Sequence, residues 1–394
     1  MLGGVSGGEM CLDVAREVVC DVLVVGAGPA GCAAAVELAR RGLAVQVVEA
    51  KRFPRQKVCG EFLAAGAWQP LEALGVADAV RRLAVPIERL RVWLGPRRLV
   101  EIGLPLDAGP VGITRARFDG LLAAAAERAG AAFAFGSRVG GVLIDGDRVR
   151  GVLARGAAGT VLYRPIWVVA ADGRRSELVR RTGRLVRRGG VSYCALQCHL
   201  AMPHVVEPVV ELYAVGGGYF GTAPVGEGLI NLCGLITPRS LRRHRGRVLA
   251  ALCERFRSWP QLRRFLSRPV RSSHAMADVA FQVARPLCGN VLYLGDALAT
   301  MEPATGQGMT AALLTGRWAA EEIWRGWRVR QHQVQQRYAA RWYEALDAKR
   351  QLSRALGRTF EHAAGLSRLL AWTANLFASA SWVLRGIYEA AQVS

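Results

Sequence analysis

The 394 residues predict an α/β chain in three parts: a parallel-sheet domain, an antiparallel sheet inserted into it, and a helical C-terminal region. Three stretches carry this expectation. Residues 21–51, DVLVVGAGPAGCAAAVELARRGLAVQVVEAK, read strand, glycine turn, helix, strand. Residues 190–270 read as short strands separated by Gly and Pro. From Arg328 onward the pattern is helical throughout.

The first stretch is a complete βαβ unit. Val22 to Val25 is a continuous apolar run, as a strand buried on both faces requires. Gly26, Gly28 and Gly31 follow as GxGxxG. Gly26 allows the tight turn, Gly28 lets the backbone approach a pyrophosphate, and Gly31 lets the next helix pack on the sheet. That helix, Pro29 to Arg41, opens with Pro29 and Ala30 and has no acidic residue in its first turn. Its free amides and positive dipole end are therefore open to an anion. Leu43 to Val48 form a second strand, closed by Glu49 and Ala50. A carboxylate about 20 residues past the glycines accepts hydrogen bonds from ribose hydroxyls. It also disfavours a 2′-phosphate, so the resident nucleotide is expected to be FAD or NAD rather than NADP. The unit is the start of a Rossmann-type domain.

Composition is globular, and this length allows more than one domain. The net charge of +21 is nearly all arginine, since lysine occurs only at Lys51, Lys57 and Lys349. It is spread along the chain without zinc-finger spacing or an aromatic RNA-binding motif, so no nucleic-acid partner is expected. The charge still leaves room for an anionic substrate, an acidic partner or an anionic lipid surface. Nine cysteines form no CxxC pair and read as free thiols of a reducing cytoplasm. The six histidines show no metal spacing, and no metal site is expected. Residues 1–19 lack the pattern of a signal peptide and read as a frayed leader. No apolar run is long enough for a transmembrane helix.

Beyond Glu49, Pro54 breaks regular structure, and Arg52, Arg55 and Lys57 crowd a short loop. Either this loop is solvated or it folds back over the cofactor, with Arg55 near the phosphates and Cys59-Gly60-Glu61 near the reactive ring. Leu63 to Leu74 reads as a helix closed by Gly75, and Arg89 to Gly103 as strand material. A helix from Ala116 to Ala129 presents one apolar face, with Arg115 just before it. Ser137 to Ile144 and Arg148 to Leu153 form a hairpin about Asp145-Gly146-Asp147. Thr160 to Tyr163 and Ile166 to Ala171 read as two further strands. The second empties into Asp172-Gly173-Arg174-Arg175-Ser176 and a Ser-capped helix, a ligand-facing turn.

In the 190–270 block, Ser192–Ala201, Val209–Ala214, Tyr219–Pro224 and Leu229–Ile236 suggest an antiparallel sheet. Arg239 to Phe256 and Pro260 to Phe265 read as arginine-rich helices. Asn290 to Leu294 is a buried strand ending in Gly295-Asp296-Ala297. Gly306 and Gly308 then precede a helix whose amides face whatever lies above the strand end. Asp296 is the expected acceptor for a sugar or ribityl hydroxyl. Leu366 to Leu384 is apolar with three aromatics. It reads as a packing helix, with a peripheral membrane contact or a lid on an apolar substrate as the alternatives.

Three separated pieces, GAGPAG with Glu49, ADGRRS at 171–176 and GDA…PATGQG at 295–308, resemble the para-hydroxybenzoate-hydroxylase-type flavoproteins. The resemblance spans about Asp21 to Trp327. It implies a discontinuous FAD-binding domain (19–84, 112–188 and 276–327), a substrate domain (85–111 and 189–275) and the helical region 328–394. There is no second GxGxxG after a strand, so NADPH or NADH would bind transiently, or a protein would deliver electrons. FPRQKVCGE and ITRARFD are most similar to the geranylgeranyl-reductase branch, which implies Arg55, Cys59, Gly60 and Arg115 as flavin contacts. That branch's Tyr-x-Trp-x-Phe-Pro motif appears here as Tyr219-Phe220-Gly221-Thr222-Ala223-Pro224, without the tryptophan. Flavin-dependent halogenases share the FPR segment, but their Gly-Glu-Ser and Trp-x-Trp-x-Ile-Pro motifs do not occur here.

The implied arrangement puts the adenosine end at Gly26–Gly31 and Glu49, the pyrophosphate near Arg55, and the ribityl chain by Asp296, with Asp172 and Gly173 on the facing turn. The reactive ring would lie under Pro303, Gly306, Gln307, Gly308 and Met309, whose amides stabilise negative charge. Cys59, Tyr219 and Phe220 are the residues expected to face a hydrophobic lipid or polyketide-like substrate. Two chemistries fit: hydride transfer from reduced flavin to a carbon–carbon double bond, or hydroxylation of an aromatic substrate through a flavin hydroperoxide. A non-catalytic flavoprotein is a third reading, opposed by the intact glycines and Asp296.

Overall fold

The computed structural model describes residues 14–355 except 97, 189–192, 203–206, 216, 239–253, 255–256, 258, 266 and 328–330. Most of the reading of 1–19 as a leader, the expected helix over 239–256 apart from Glu254, and the apolar stretch 366–384 lie outside the described residues.

The larger sheet is built on Val14–Val25, which pairs in parallel with Val45–Glu49 on one side and Gly159–Ala170 on the other. Ala132–Phe135 extends one edge in parallel, and Val291–Tyr293 continues the other. Val22, Leu23 and Val24 are fully buried, as the apolar run requires. Helix Pro29–Ala39 covers this sheet and is itself buried along nearly its whole length. Its alanines and glycine permit that: a Cβ on Gly316 of the helix Gly308–Arg325 would lie 2.3 Å from the Ala30 carbonyl oxygen. Helix Arg115–Arg128 flanks it as well, capped by the Thr114 side chain.

Two sequence expectations change here. Residues 14–19 are not a leader; they extend the first strand, paired with 160–164. Most of them are exposed, so they carry no buried apolar run, and their partner is distant in sequence. The two strands expected over 160–163 and 166–171 are one, Gly159–Ala170. Its outer side pairs with the hairpin strand up to Tyr163 and with Val291–Tyr293 from Val168, and Pro165 falls in the gap between those pairings.

The second sheet has seven strands, in the order Val270–Val279, Tyr193–Ala201, Leu229–Ile236, Gly218–Gly226, Val209–Val215, Arg89–Gly95 and Arg98–Gly103. It is antiparallel except where Val209–Val215 meets Arg89–Gly95 in parallel. The strand Val270–Val279 runs through residue 275, where the sequence reading places a boundary. One face packs Tyr213, Phe220, Leu232 and Ile236 against Trp259, Leu262 and Phe265. The other turns toward the parallel sheet. Beyond the long helix Gly308–Arg325, Gln331–Trp342 continues through one π-turn, Tyr343–Asp347, to helical residues 348–355. Among the described residues no helix is long and apolar enough to cross a membrane.

Candidate functional site

Three adjoining cavities run from the carboxyl ends of the parallel strands to the inner face of the second sheet. The first, about 150 Å³, is lined by Gly26, Gly28, Glu49, Ala50, Arg55, Asp172 and Gly173. The second, about 140 Å³, is lined by Pro29, Ala30, Cys59, Gly60, Arg115, Gly295, Asp296, Pro303, Gly306, Gly308 and Met309. The third, about 220 Å³, takes Tyr219 and Gln307 and is walled by Leu90, Val92, Ile102, Val210, Leu212 and Leu235. Gly28, Lys57 and Gly173 belong to both of the first two. Cys59, Gly60, Phe62, Pro303 and Gly306 belong to both of the last two. The path is polar at one end and apolar at the other.

Local chemistry explains the polar end. Glu49 is buried, and its carboxylate accepts from the Ala27 and Lys51 amides, each at 2.8 Å. This ties the end of the second strand to the glycine turn. The guanidinium of Arg55 lies 3.1 Å from Asp119 and 3.7 Å from Glu49, against Gly28. Asp296 is shared between Lys57 and Arg174, each at 3.7 Å. Burial pulls the Lys57 ammonium below its ordinary pKa. Asp296 opposes that shift, and Arg115, Arg174 and Arg55 reinforce it. Asp172 accepts from the Glu177 amide at 2.8 Å and so adds to the Ser176 cap of the helix Glu177–Thr182. Burial raises its pKa, opposed by Ser176 and the amides. Neither Pro29–Ala39 nor Gly308–Arg325 has a side-chain cap or an acidic residue in its first turn, so both ends offer amides to an anion.

Two expected site residues lie elsewhere. Phe220 does not face the cavity. Strand side chains alternate, and with Tyr219 directed into the cavity Phe220 enters the core on the opposite face. Gly31 lines none of the three cavities; a Cβ there would lie 1.9 Å from the Gly26 carbonyl oxygen, so its place is helix-on-strand packing. Arg115 is buried, and its guanidinium is held bidentately by Asp119, both contacts 2.8 Å.

The sequence reading missed the network that seats the Cys59 loop. Glu61, fully buried at φ 56°, accepts from the Arg115 amide at 2.7 Å and pairs with His199 Nε2 at 2.6 Å. His199 Nδ1 meets Ser272 Oγ at 2.9 Å. The Cys59 amide donates to Gln197 at 3.3 Å, and Asn231 donates to the Cys59 carbonyl at 2.9 Å. One loop is thus pinned to two strands of the second sheet, Tyr193–Ala201 and Leu229–Ile236, and to the start of a helix, and Ser272 on a third strand holds His199 in turn. No spacing rule links Glu61 to His199; only the alternation of Gln197 and His199 on one strand face hints at a polar inner surface.

Tyr219 donates to Glu302 at 2.8 Å. Burial, and then the Glu302 charge, raises its pKa well above that of an ordinary tyrosine.

A family model described as FAD binding domain matches residues 19–314. The chain belongs to that family. It is an FAD-dependent oxidoreductase of the para-hydroxybenzoate-hydroxylase-type superfamily, on the geranylgeranyl-reductase side of it. It is 32% identical to a menaquinone reductase of Mycolicibacterium smegmatis, over 76% of this chain and 75% of that one. It is 29% identical to a digeranylgeranylglycerophospholipid reductase of Methanopyrus kandleri, over 76% of each chain. A geranylgeranyl bacteriochlorophyll reductase-like protein of Thermoplasma acidophilum superposes with a TM-score of 0.73 at 24% identity, covering 88% of each chain. A flavin-dependent brominase superposes at 0.74 and 22%, covering 84% of this chain and 85% of that one, a likeness of fold.

The residues present fit FAD. Arg55 Nε is buried without a hydrogen-bond partner among the described residues, beside Gly28. A Cβ added to Gly60 or Gly308 meets nothing within 4 Å beyond its chain neighbours and, at Gly308, its own helix, so the backbone there approaches the cleft bare.

Proposed function

We propose that this chain reduces a carbon–carbon double bond in a polyisoprenoid lipid. The observation that carries the reading is the junction of the cavities: the Cys59–Gly60 and Pro303–Gly306 loops border both the polar cleft and the apolar cavity. A ligand lying in the cleft would meet an apolar chain there and nowhere else along it. The substrates named for the two relatives, a quinone and a phospholipid, share a polyisoprenoid chain as their common chemistry.

Reduced FAD supplies the hydride when bound. The protein's part is to bind, orient and exclude water. Gly26, Gly28, Glu49 and Arg55 would hold the adenosine diphosphate end, with Lys57 beside its phosphates, and Asp296 the ribityl chain. The amides at Gly306–Gly308 would face the charge that reduction places on the ring. The walls at Val92, Ile102, Val210 and Leu212 take the apolar chain and keep the site dry.

Tyr219 is disfavoured as the proton donor, because its phenolate would form beside Glu302. Cys59 borders both compartments and is the better-placed acid. The electron donor would be a transiently bound NADPH or NADH or a protein. The lipid would be drawn from a membrane surface on the cytoplasmic side.

Leu212→Trp tests the cavity. It should abolish binding of a polyprenyl lipid at unchanged flavin content. Unchanged turnover of that lipid would sink the reading.

A further inference from the structure

The last described helical segment, residues 348–355, reaches the residue that precedes the Pro303–Gly308 loop of the site. Arg354, on helical residues 348–355, lies beyond the span 19–314 matched by the family model. Its Nη1 donates to Glu302 Oε2 at 3.0 Å, and its guanidinium lies 3.8 Å from the centre of the Phe281 ring. Glu302 is 1% exposed, and its other oxygen accepts from Tyr219 at 2.8 Å. The next residue is Pro303, which borders the cleft and the apolar cavity alike. Three separate parts of the chain therefore converge on one buried carboxylate: the inner face of the antiparallel sheet, the approach to the Pro303–Gly308 loop, and helical residues 348–355.

We propose that Arg354 is a positioning residue of the flavin site, which fixes the Pro303–Gly308 loop through Glu302 and balances the Glu302 charge beside the ring. The proposal rests on the FAD reading above and deepens it. A buried carboxylate is tolerated where a hydrogen-bonded cation neutralises it. Here the cation arrives from outside the matched domain, so the cofactor site is completed only when helical residues 348–355 dock. Two consequences separate this from simple packing. The loop should bind flavin less well without Arg354. The charge pair should act on the reduced ring with opposite signs, because a nearby positive charge favours an anion and a negative one disfavours it.

The test uses the full chain and four variants, Arg354→Met, Arg354→Lys, Glu302→Gln and the double variant Arg354→Met with Glu302→Gln. FAD affinity and the flavin reduction potential are measured in each. The affinity of the unaltered chain for FAD tests the underlying reading separately. Arg354→Met should weaken FAD by about tenfold or more and move the potential negative. Glu302→Gln should move it positive, and the double variant should return toward the original value. Arg354→Lys keeps the charge, so its potential should stay near the original even if its affinity falls. Wild-type affinity and potential in Arg354→Met would overturn the proposal. So would potentials that move the same way in both single variants, since packing damage alone carries no sign.

Discussion

The nucleotide end of the cleft is made mostly of backbone, and the apolar cavity mostly of side chains. At the first, glycines at 26 and 28, a helix start and one carboxylate produce a ligand surface from about thirty consecutive residues. At the second, residues from six strands of the seven-stranded sheet converge with Phe62 and the Pro303–Gln307 loop. The first kind of site tolerates almost no substitution. The second keeps its fold when one wall changes, and a changed wall alters which substrate fits.

The sharpest way to break this contrast is at Gly31. A Cβ there meets the Gly26 backbone, which cannot swing aside as a side chain can. Gly31→Val should cost more than about 4 kcal/mol and yield no flavin-bound protein. A variant that melts like the parent and purifies yellow would contradict the packing role.

Next comes the loop between the two regions. Glu61→Ala removes one partner of a fully buried pair with His199. The expected loss is about 3–5 kcal/mol, read from urea unfolding. Unaltered stability would mean that the loop is held by Gln197 and Asn231 alone.

Neighbouring residues on one cavity strand should then behave differently. Tyr219→Phe deletes a hydrogen bond to a charged group, worth about 1.5–3 kcal/mol, and should leave the rate of the chemical step within about tenfold. A far larger rate loss would reinstate Tyr219 as the acid. Phe220→Leu should cost about 1–3 kcal/mol with no change in substrate affinity, since Phe220 packs on the far face.

The smallest expected effect is electrostatic. Lys57 holds its proton less readily than an ordinary lysine, chiefly through burial. An anion bound beside it reverses that, so FAD binding should take up protons, and affinity should fall as pH rises toward the ordinary lysine pKa. Lys57→Met should flatten that slope. Calorimetry in buffers of different ionisation enthalpy reads the uptake, and an identical slope in the variant would remove Lys57 from the account.

What was legible in the sequence follows the same division. The βαβ unit, the Asp172 turn and the Gly295–Gly308 segment were readable because their geometry is local: strand, glycine and helix start lie within a few residues. The Glu61–His199 pair was not, because its members are 138 residues apart and meet only when two sheets face each other. Phe220 was misplaced because an aromatic pair at 219–220 looks alike from either face until the strand's register is known. The outer half of the first strand was hidden for a similar reason. Its partner, 160–164, is remote, and its exposed faces leave no apolar pattern.

The most direct measurement is anaerobic. The flavin of the purified protein is reduced chemically, a polyisoprenoid lipid is added without oxygen, and flavin absorbance and lipid mass are followed together. The account predicts that the flavin reoxidises only when the lipid is present and that the lipid gains a pair of hydrogens. A flavin that stays reduced until air is admitted, with oxygen then appearing in an aromatic product, would contradict it and make the chain a monooxygenase.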